Sequence, residues 1–192
     1  IVFNSEWSKN RFLTNLDEIY TKSQKLLVIR QSADKQRVNL RKKDKIITFV
    51  GKLNKAKGYD VFGAAIIDIL NQYSDWKAIV IGDEEREKLF FDHERLKVLG
   101  FKKHNEVINI FKKSSISVVC SRWEEPFGRT SLESSSCGCA VIITNRGGLP
   151  ETITNGVILE KLNKTEVFNS ISRLIEDSSF RTEIQKLSLE NF

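Results

Sequence analysis

The sequence predicts an α/β domain built on a doubly wound parallel sheet, and three observations carry that reading. From Ile46 onward, short β-branched apolar runs alternate with stretches whose apolar residues recur at helical spacing. Turn residues such as Gly82-Asp83 and Gly147-Gly148 punctuate the alternation where strands should end. The 192 residues, 40% hydrophobic, can bury a substantial core, and no long uncharged apolar run reads as a membrane span.

Taken in order, Val2-Phe3 heads a short strand, and Ser5-Glu6-Trp7-Ser8 caps a helix carrying Phe12, Leu13, Leu16 and Ile19 on one face. Leu26-Leu27-Val28-Ile29 follows as a second apolar run. The regular part opens with a strand over 46–50, a striped helix over 59–70 and a strand over 78–81. Residues 84–91 read as a helix whose start is capped by Asp83-Glu84-Glu85. Residues 96–99 then pair into the sheet, 105–113 form a helix, and 116–120 form a buried strand. Pro126 suits a first helical position, which predicts a helix from about Phe127 to Ser136. A strand over 140–143, a short edge strand over 157–159 and helices over 165–176 and 179–189 complete the chain.

Charge narrows the partners. With 31 Lys and Arg against 25 Asp and Glu, the net charge is +6, concentrated in Arg41-Lys42-Lys43-Asp44-Lys45 and Lys102-Lys103. A basic surface suits nucleic acid, anionic lipid or a phosphorylated ligand. Aromatic-basic interleaving and zinc-finger spacing are absent, so no nucleic-acid partner is expected. Cys120, Cys137 and Cys139 read as small packing residues rather than a metal or redox site, which fits a reducing, cytoplasmic setting. His93 and His104 read as surface or capping residues, and no Ser-His-Asp, Cys-His or metal constellation is evident. The sequence does not open on Met and reads as a piece of a longer protein.

Two stretches carry chemistry. In Glu125-Pro126-Phe127-Gly128-Arg129-Thr130-Ser131-Leu132-Glu133, a strand runs into a helix whose first amides lack internal partners. Those amides, from Phe127 to Thr130, sit at the positive end of the helix dipole and form a natural cradle for phosphate oxygens. Glu125 stays beside the cradle, while Glu133 lies roughly 9 Å further along at about 1.5 Å rise per residue, a gap that suits a diphosphate and a ribose. Both carboxylates also fit as solvated charges flanking an ordinary turn. The second stretch, Gly51-Lys52-Leu53-Asn54-Lys55-Ala56-Lys57-Gly58, follows the strand over 46–50 and offers cations to a phosphate or simply a solvated basic loop.

Two glutamates eight residues apart around Pro-Phe-Gly resemble the E-x7-E motif of retaining glycosyltransferases with the GT-B fold, especially family 4. The resemblance implies that Glu133 meets the ribose of a nucleotide-sugar donor and that Glu125 lies against its sugar as the catalytic-side residue. It also implies that Gly51, Lys52 and Lys57 clamp the diphosphate, with Lys52 standing where the family usually has Arg and so lacking a planar fork. Leu99-Gly100-Phe101-Lys102 falls where the family places groups against the base, although Phe101 also reads as core. Gly147-Gly148-Leu149-Pro150-Glu151 resembles the family's Gly-Gly-x-Pro-Glu turn beside the donor, and equally a purely structural turn.

The resemblance implies that residues 1–40 end an acceptor-side N-terminal domain with its linker and that 41–192 bind the donor. The implied activity is retaining transfer of a hexose-type sugar to an acceptor sugar or lipid-linked saccharide, without a metal, in cell-surface polysaccharide or lipopolysaccharide synthesis. The implied place is the cytoplasm, with peripheral contact at the inner face of the membrane open. A GT-B nucleotide-sugar epimerase and a non-catalytic nucleotide-binding module are the alternatives. Without most of its N-terminal domain the isolated chain is expected to bind donor but hardly turn it over. Residues 1–40 are expected to hide apolar surface by docking on the C-terminal domain or by self-association.

Overall fold

The computed structural model describes residues 1–14, 16, 25–190 and 192. A parallel pair, β1 (Val2–Phe3) and β2 (Leu27–Val28), flanks α1 (Glu6–Leu13). The main sheet holds β3 (Asp44–Val50), β4 (Lys77–Ile81), β5 (Leu96–Val98), β6 (Ser114–Val119), β7 (Ala140–Thr144) and β8 (Val157–Leu159). Its helices are α2 (Tyr59–Gln72), α3 (His104–Lys113), α4 (Arg129–Ser136), α5 (Lys164–Glu176) and α6 (Ser178–Glu190). All pairings are parallel, in the order β5-β4-β3-β6-β7-β8. The chain therefore runs outward from β3 to β5, returns to lay β6 beside β3, and runs outward again on the other side.

Alternation along the strands divides the core in two. Ile47, Phe49, Ala78, Val80, Ile116, Val118, Ala140 and Ile142 pack with α2, α5 and α6 residues such as Phe62, Ile66, Ile171 and Ile184. Ile81, Val141 and Ile143 pack on the other side with Val107 and Phe111 of α3 and with Leu149. Burial on both faces is why the strands read as continuous apolar runs rather than alternating ones. Each fully buried Ile or Phe contributes about 1.5–3 kcal/mol relative to an exposed one.

Two expected features come out differently. Residues 84–91 form no helix. Their acidic side chains take other partners instead: Glu84 accepts from the Asn54 side chain at Nδ2 (2.8 Å) and from the Arg86 amide (3.1 Å), and Glu87 accepts from the Lys55 amide (3.0 Å). The bond to Arg86 is local and competes with a helix, and the apolar anchor, Phe91, packs edge-on against Tyr59 with ring centroids 5.5 Å apart. The second change is at α4, which begins at Arg129 rather than near Phe127. Gly128 takes φ 118° immediately before it, outside the helical region, and Phe127 is buried in the preceding loop.

The N-terminal segment docks on its own chain. Ser5 caps α1 by accepting from the Ser8 amide (2.9 Å), as its sequence suggests, and the Ser5 and Ser8 hydroxyls both donate to the Pro126 carbonyl. Phe12 meets Phe3 at a tilt, with ring centroids 5.2 Å apart, and Phe12 and Leu16 are each 37% exposed. Ile19, expected on the same face, lies outside the described residues.

All three cysteines are free and buried. Burial pushes the Cys120 and Cys137 thiols up to about 12, and raises Cys139 as well despite the opposing charge of Lys43. Thiol reagents at pH 8 are therefore expected to leave the native chain unlabelled and to react only as denaturant unfolds it. Because the folded thiols ionise later than the unfolded ones, stability should fall as pH rises from about 9 toward 12. Rapid labelling of the native chain at pH 8 would contradict this.

Candidate functional site

Strand order reverses between β3 and β6, and in open α/β sheets ligands bind in the crevice outside the carboxyl ends of the strands at such a point. A cavity of about 70 Å³ lies there. Phe49, Val50 and Gly51 line it from the end of β3, and Val119 and Ser121 from the end of β6. Lys57 closes one side, Glu125 another, and Gly128, Arg129 and Thr130 bring the start of α4 against it, with Leu149 beneath.

The side chains are set by short loops tied to one another. Lys57 ends a 3₁₀ turn (Lys55–Lys57) whose N-cap, Asn54, accepts from the Lys57 amide (3.0 Å). The Ala56 carbonyl of that turn accepts from the amides of Arg122 (2.8 Å) and Trp123 (3.0 Å) and from the Ser121 hydroxyl (3.2 Å). Arg122 in turn forks onto Asp60 at 2.6 and 2.9 Å. Burial alone would raise Asp60, but the hydrogen bonds and charge of Arg122 outweigh it and hold the carboxyl low. These ties bring the Lys57 ammonium into an ion pair with the Glu125 carboxylate, whose side chains are 32% and 14% exposed.

The Gly147-Gly148 turn holds the other side of the Glu125 loop. The Gly148 amide donates to the Glu125 carbonyl (2.6 Å), the Gly147 amide to the Glu124 carboxylate (2.6 Å), and Arg146 pairs with Glu124 at 3.1 Å. One helical turn beyond the cavity, Glu133 accepts from Arg129 (2.9 and 3.2 Å) and sits 3.8 Å from His104 Nδ1.

Of the residues singled out in the sequence, the structure brings Gly51, Lys57, Glu125, Gly128, Arg129 and Thr130 around one cavity. Glu133, Lys52, Phe101, Lys102 and Phe127 are not in its lining. Phe101 is 75% exposed, so it is not core, and Lys102 pairs with Glu106 at 3.8 Å. Lys52 is exposed near Glu84, whose carboxyl is held low first by the Arg86 amide, then by Asn54, with Lys52 adding to both. His93 accepts from the Arg95 amide (3.0 Å), a capping role, and His104 is a largely exposed residue at the start of α3. Sequence reasoning missed Ser121 and Glu124. Nothing in their local pattern distinguishes them, because their partners Ala56, Arg146 and Gly147 are brought up by other loops. Among the described residues, no group of three or more His, Cys, Asp or Glu is placed to hold a metal ion.

Comparison with known proteins identifies the family and the fold. Residues 30–188 match the family described as "Glycosyl transferases group 1". The chain belongs to that family. Among similar group 1 glycosyl transferases and their relatives, spore coat protein SA of Bacillus subtilis (strain 168) is 30% identical, over 75% of this chain and 43% of that protein. The D-inositol 3-phosphate glycosyltransferase of Corynebacterium jeikeium (strain K411) is 26% identical, over 71% of this chain and 36% of that one. The chain thus spans less than half the length of these relatives.

Two solved structures share the fold. Anabaena HepE, crystallised in complex with UDP and glucose, superposes with a TM-score of 0.77 at 20% identity, covering 98% of this chain and 56% of that one. The C-terminal domain of the group 1 glycosyl transferase LpcC from Francisella tularensis gives a TM-score of 0.68 at 28% identity, covering 78% of this chain and 85% of that domain. The group 1 domain described here therefore has the parallel, Rossmann-like sheet of GT-B glycosyltransferases. Among the described residues no helix is long and apolar enough to cross a membrane.

Proposed function

We propose that residues 41–192 are the donor-binding half of a retaining, family 4-type glycosyltransferase, and that residues 1–40 close an acceptor-side domain. The observation that carries this reading is the pairing of Lys57 with Glu125 in a cavity at the reversal of strand order. A diphosphate entering there would meet a cation from the 51–58 loop and the unpartnered first amides of α4, the two devices that hold phosphate best. Lys57 carries the diphosphate, assisted by Lys52 from the same loop. Glu125 faces the sugar and Glu133 the ribose. Phe101, exposed, and Lys102, half-buried, follow β5 and would face the base. Transfer to an acceptor sugar or lipid-linked saccharide, without a metal, belongs to the protein that also has the acceptor-side domain. In that protein the exposed Ile1, Val2, Leu27 and Ile29 have neighbours to pack against. A part in cell-surface polysaccharide or lipopolysaccharide synthesis, in the cytoplasm, belongs to the same proposal.

The test is a panel of UDP, GDP and ADP measured against the chain by thermal shift and calorimetry. One of them is expected to bind, more weakly as salt rises, because the contact is between charges. Lys57→Ala should cost about tenfold, equivalent to about 1.4 kcal/mol, and Lys103→Ala much less. Equal losses at both lysines would point to a diffuse basic surface, and no binding by any of the three would refute the reading.

A further inference from the structure

Glu151 reaches away from the turn that carries it and onto the N-terminal segment. Its carboxylate accepts from the backbone amides of Glu6 (2.9 Å) and Trp7 (2.8 Å) and pairs with Arg30 Nε at 3.2 Å. These amides open α1, so they have no partner within the helix and lie at its positive end. The carboxylate comes from 144 positions further along the chain and caps a helix to which it does not belong. Burial alone would raise the Glu151 pKa, but the two amides and Arg30 outweigh it and hold the carboxyl low.

The same junction touches the donor loop at two more points. Ser8 donates to the Pro126 carbonyl at 3.0 Å, alongside Ser5, which is fully buried. Gly147 and Gly148, four and three residues before Glu151, grip Glu124 and the Glu125 carbonyl. Space at the junction is filled: a methyl group added at Gly148 would lie 2.6 Å from the Pro126 carbonyl oxygen and 3.0 Å from Ser5 Oγ. Helix α1, the 147–152 turn and the loop that presents Glu125 to Lys57 thus meet at one point, and none can shift without moving another.

We propose that Glu151 is a positioning residue that latches α1 to the 147–152 turn and, through Pro126 and Gly148, sets the Glu125 loop for nucleoside diphosphate. Docking of the N-terminal segment and binding in the Lys57 cavity then favour each other by the same factor, as linkage requires. The proposal rests on the reading of that cavity as a nucleoside diphosphate site.

The experiment uses the whole 192-residue chain, with whichever of UDP, GDP and ADP the unmodified chain binds as probe. Glu151→Gln keeps the shape of the side chain but turns an NH2 group toward an amide or Arg30. Two quantities are read together: nucleotide affinity by calorimetry, and the rate of proteolysis within residues 1–30 with and without nucleotide. Saturating nucleotide is expected to slow that cleavage about fivefold in the unmodified chain. Glu151→Gln is expected to speed cleavage, lower nucleotide affinity about fivefold and abolish the protection. Faster cleavage with unchanged affinity would make Glu151 a purely structural cap and overturn the proposal, as would unchanged behaviour in both readouts. If the unmodified chain binds none of the three nucleotides, the reading of the cavity falls and this proposal with it. Binding by the unmodified chain with no protection overturns the coupling alone. Should Glu151→Gln fail to fold, Ser8→Ala removes a hydroxyl that bonds Pro126, Ser5 and Asn4 and is expected to change both readouts in the same directions.

Discussion

Glu133→Ala is expected to lower the affinity for free nucleoside diphosphate by about 1.5–3 kcal/mol, the range for hydrogen bonds involving a charged group. Glu125→Ala should leave that affinity nearly unchanged. The difference follows from what each carboxylate does in the fold. Glu133, 13% exposed, points from α4 and steadies Arg129, which lines the cavity. On the proposed assignment its removal takes away a ribose acceptor and also frees Arg129, and the freed cation offsets some of the loss. Glu125, paired with Lys57, is proposed to face the sugar, which a free nucleoside diphosphate lacks, so its removal takes no contact from the nucleotide. In the intact enzyme the ranking reverses, and Glu125→Ala should reduce transfer about 10²-fold or more, as loss of a group stabilising charge at the reacting centre does. Calorimetry on the chain and initial rates on the full-length enzyme check the two halves. An affinity loss confined to Glu125→Ala would sink the assignment of roles.

Gly58→Ala is expected to destabilise the fold by about 2–5 kcal/mol, a sum of about 1–2 for a left-handed non-glycine residue and about 1–3 for overpacking. Gly58 has φ 75°, and an added methyl would lie 1.9 Å from the Cys120 carbonyl oxygen and 2.9 Å from its carbon. That carbonyl is main chain just beyond β6, next to Ser121 and the ties that pair Lys57 with Glu125, so it cannot swing aside as a side chain could. Gly100→Ala provides the contrast. Its φ is 67°, but nothing lies within 4 Å of the added methyl, so only the conformational cost of about 1–2 kcal/mol applies. Urea denaturation should show a much larger fall in midpoint for Gly58→Ala, with unchanged slope in both. Equal shifts would mean that the close approach to Cys120 relaxes freely.

Where residues interact with near neighbours, reading them in sequence works. The strand at Ala140–Thr144 is apolar from Ala140 to Ile143 because both faces are covered. Ser5 was legible as a cap because its partner, the Ser8 amide, is three residues away. The same local logic misled at 84–91, where acidic residues that look like the start of a helix serve Asn54 and Lys55 on another loop. It misplaced the start of α4 as well, since Pro126 permits a helix but the positive φ of Gly128 forbids one until Arg129.

By itself the sequence determined the order and type of the strands, the doubly wound class and the two loops that line the cavity, because these depend on periodicity, proline and glycine, which act within a few residues. Only the tertiary structure decided that Lys57 and Glu125, 68 positions apart, share an ion pair, since that depends on β6 returning to lie beside β3. It likewise decided that Glu151 caps α1 and that Glu124 is held by the Gly147 amide. A carboxylate takes whatever donor the packed chain brings within 3 Å, and that choice is made by the layering of the sheet, not by the residues on either side of it.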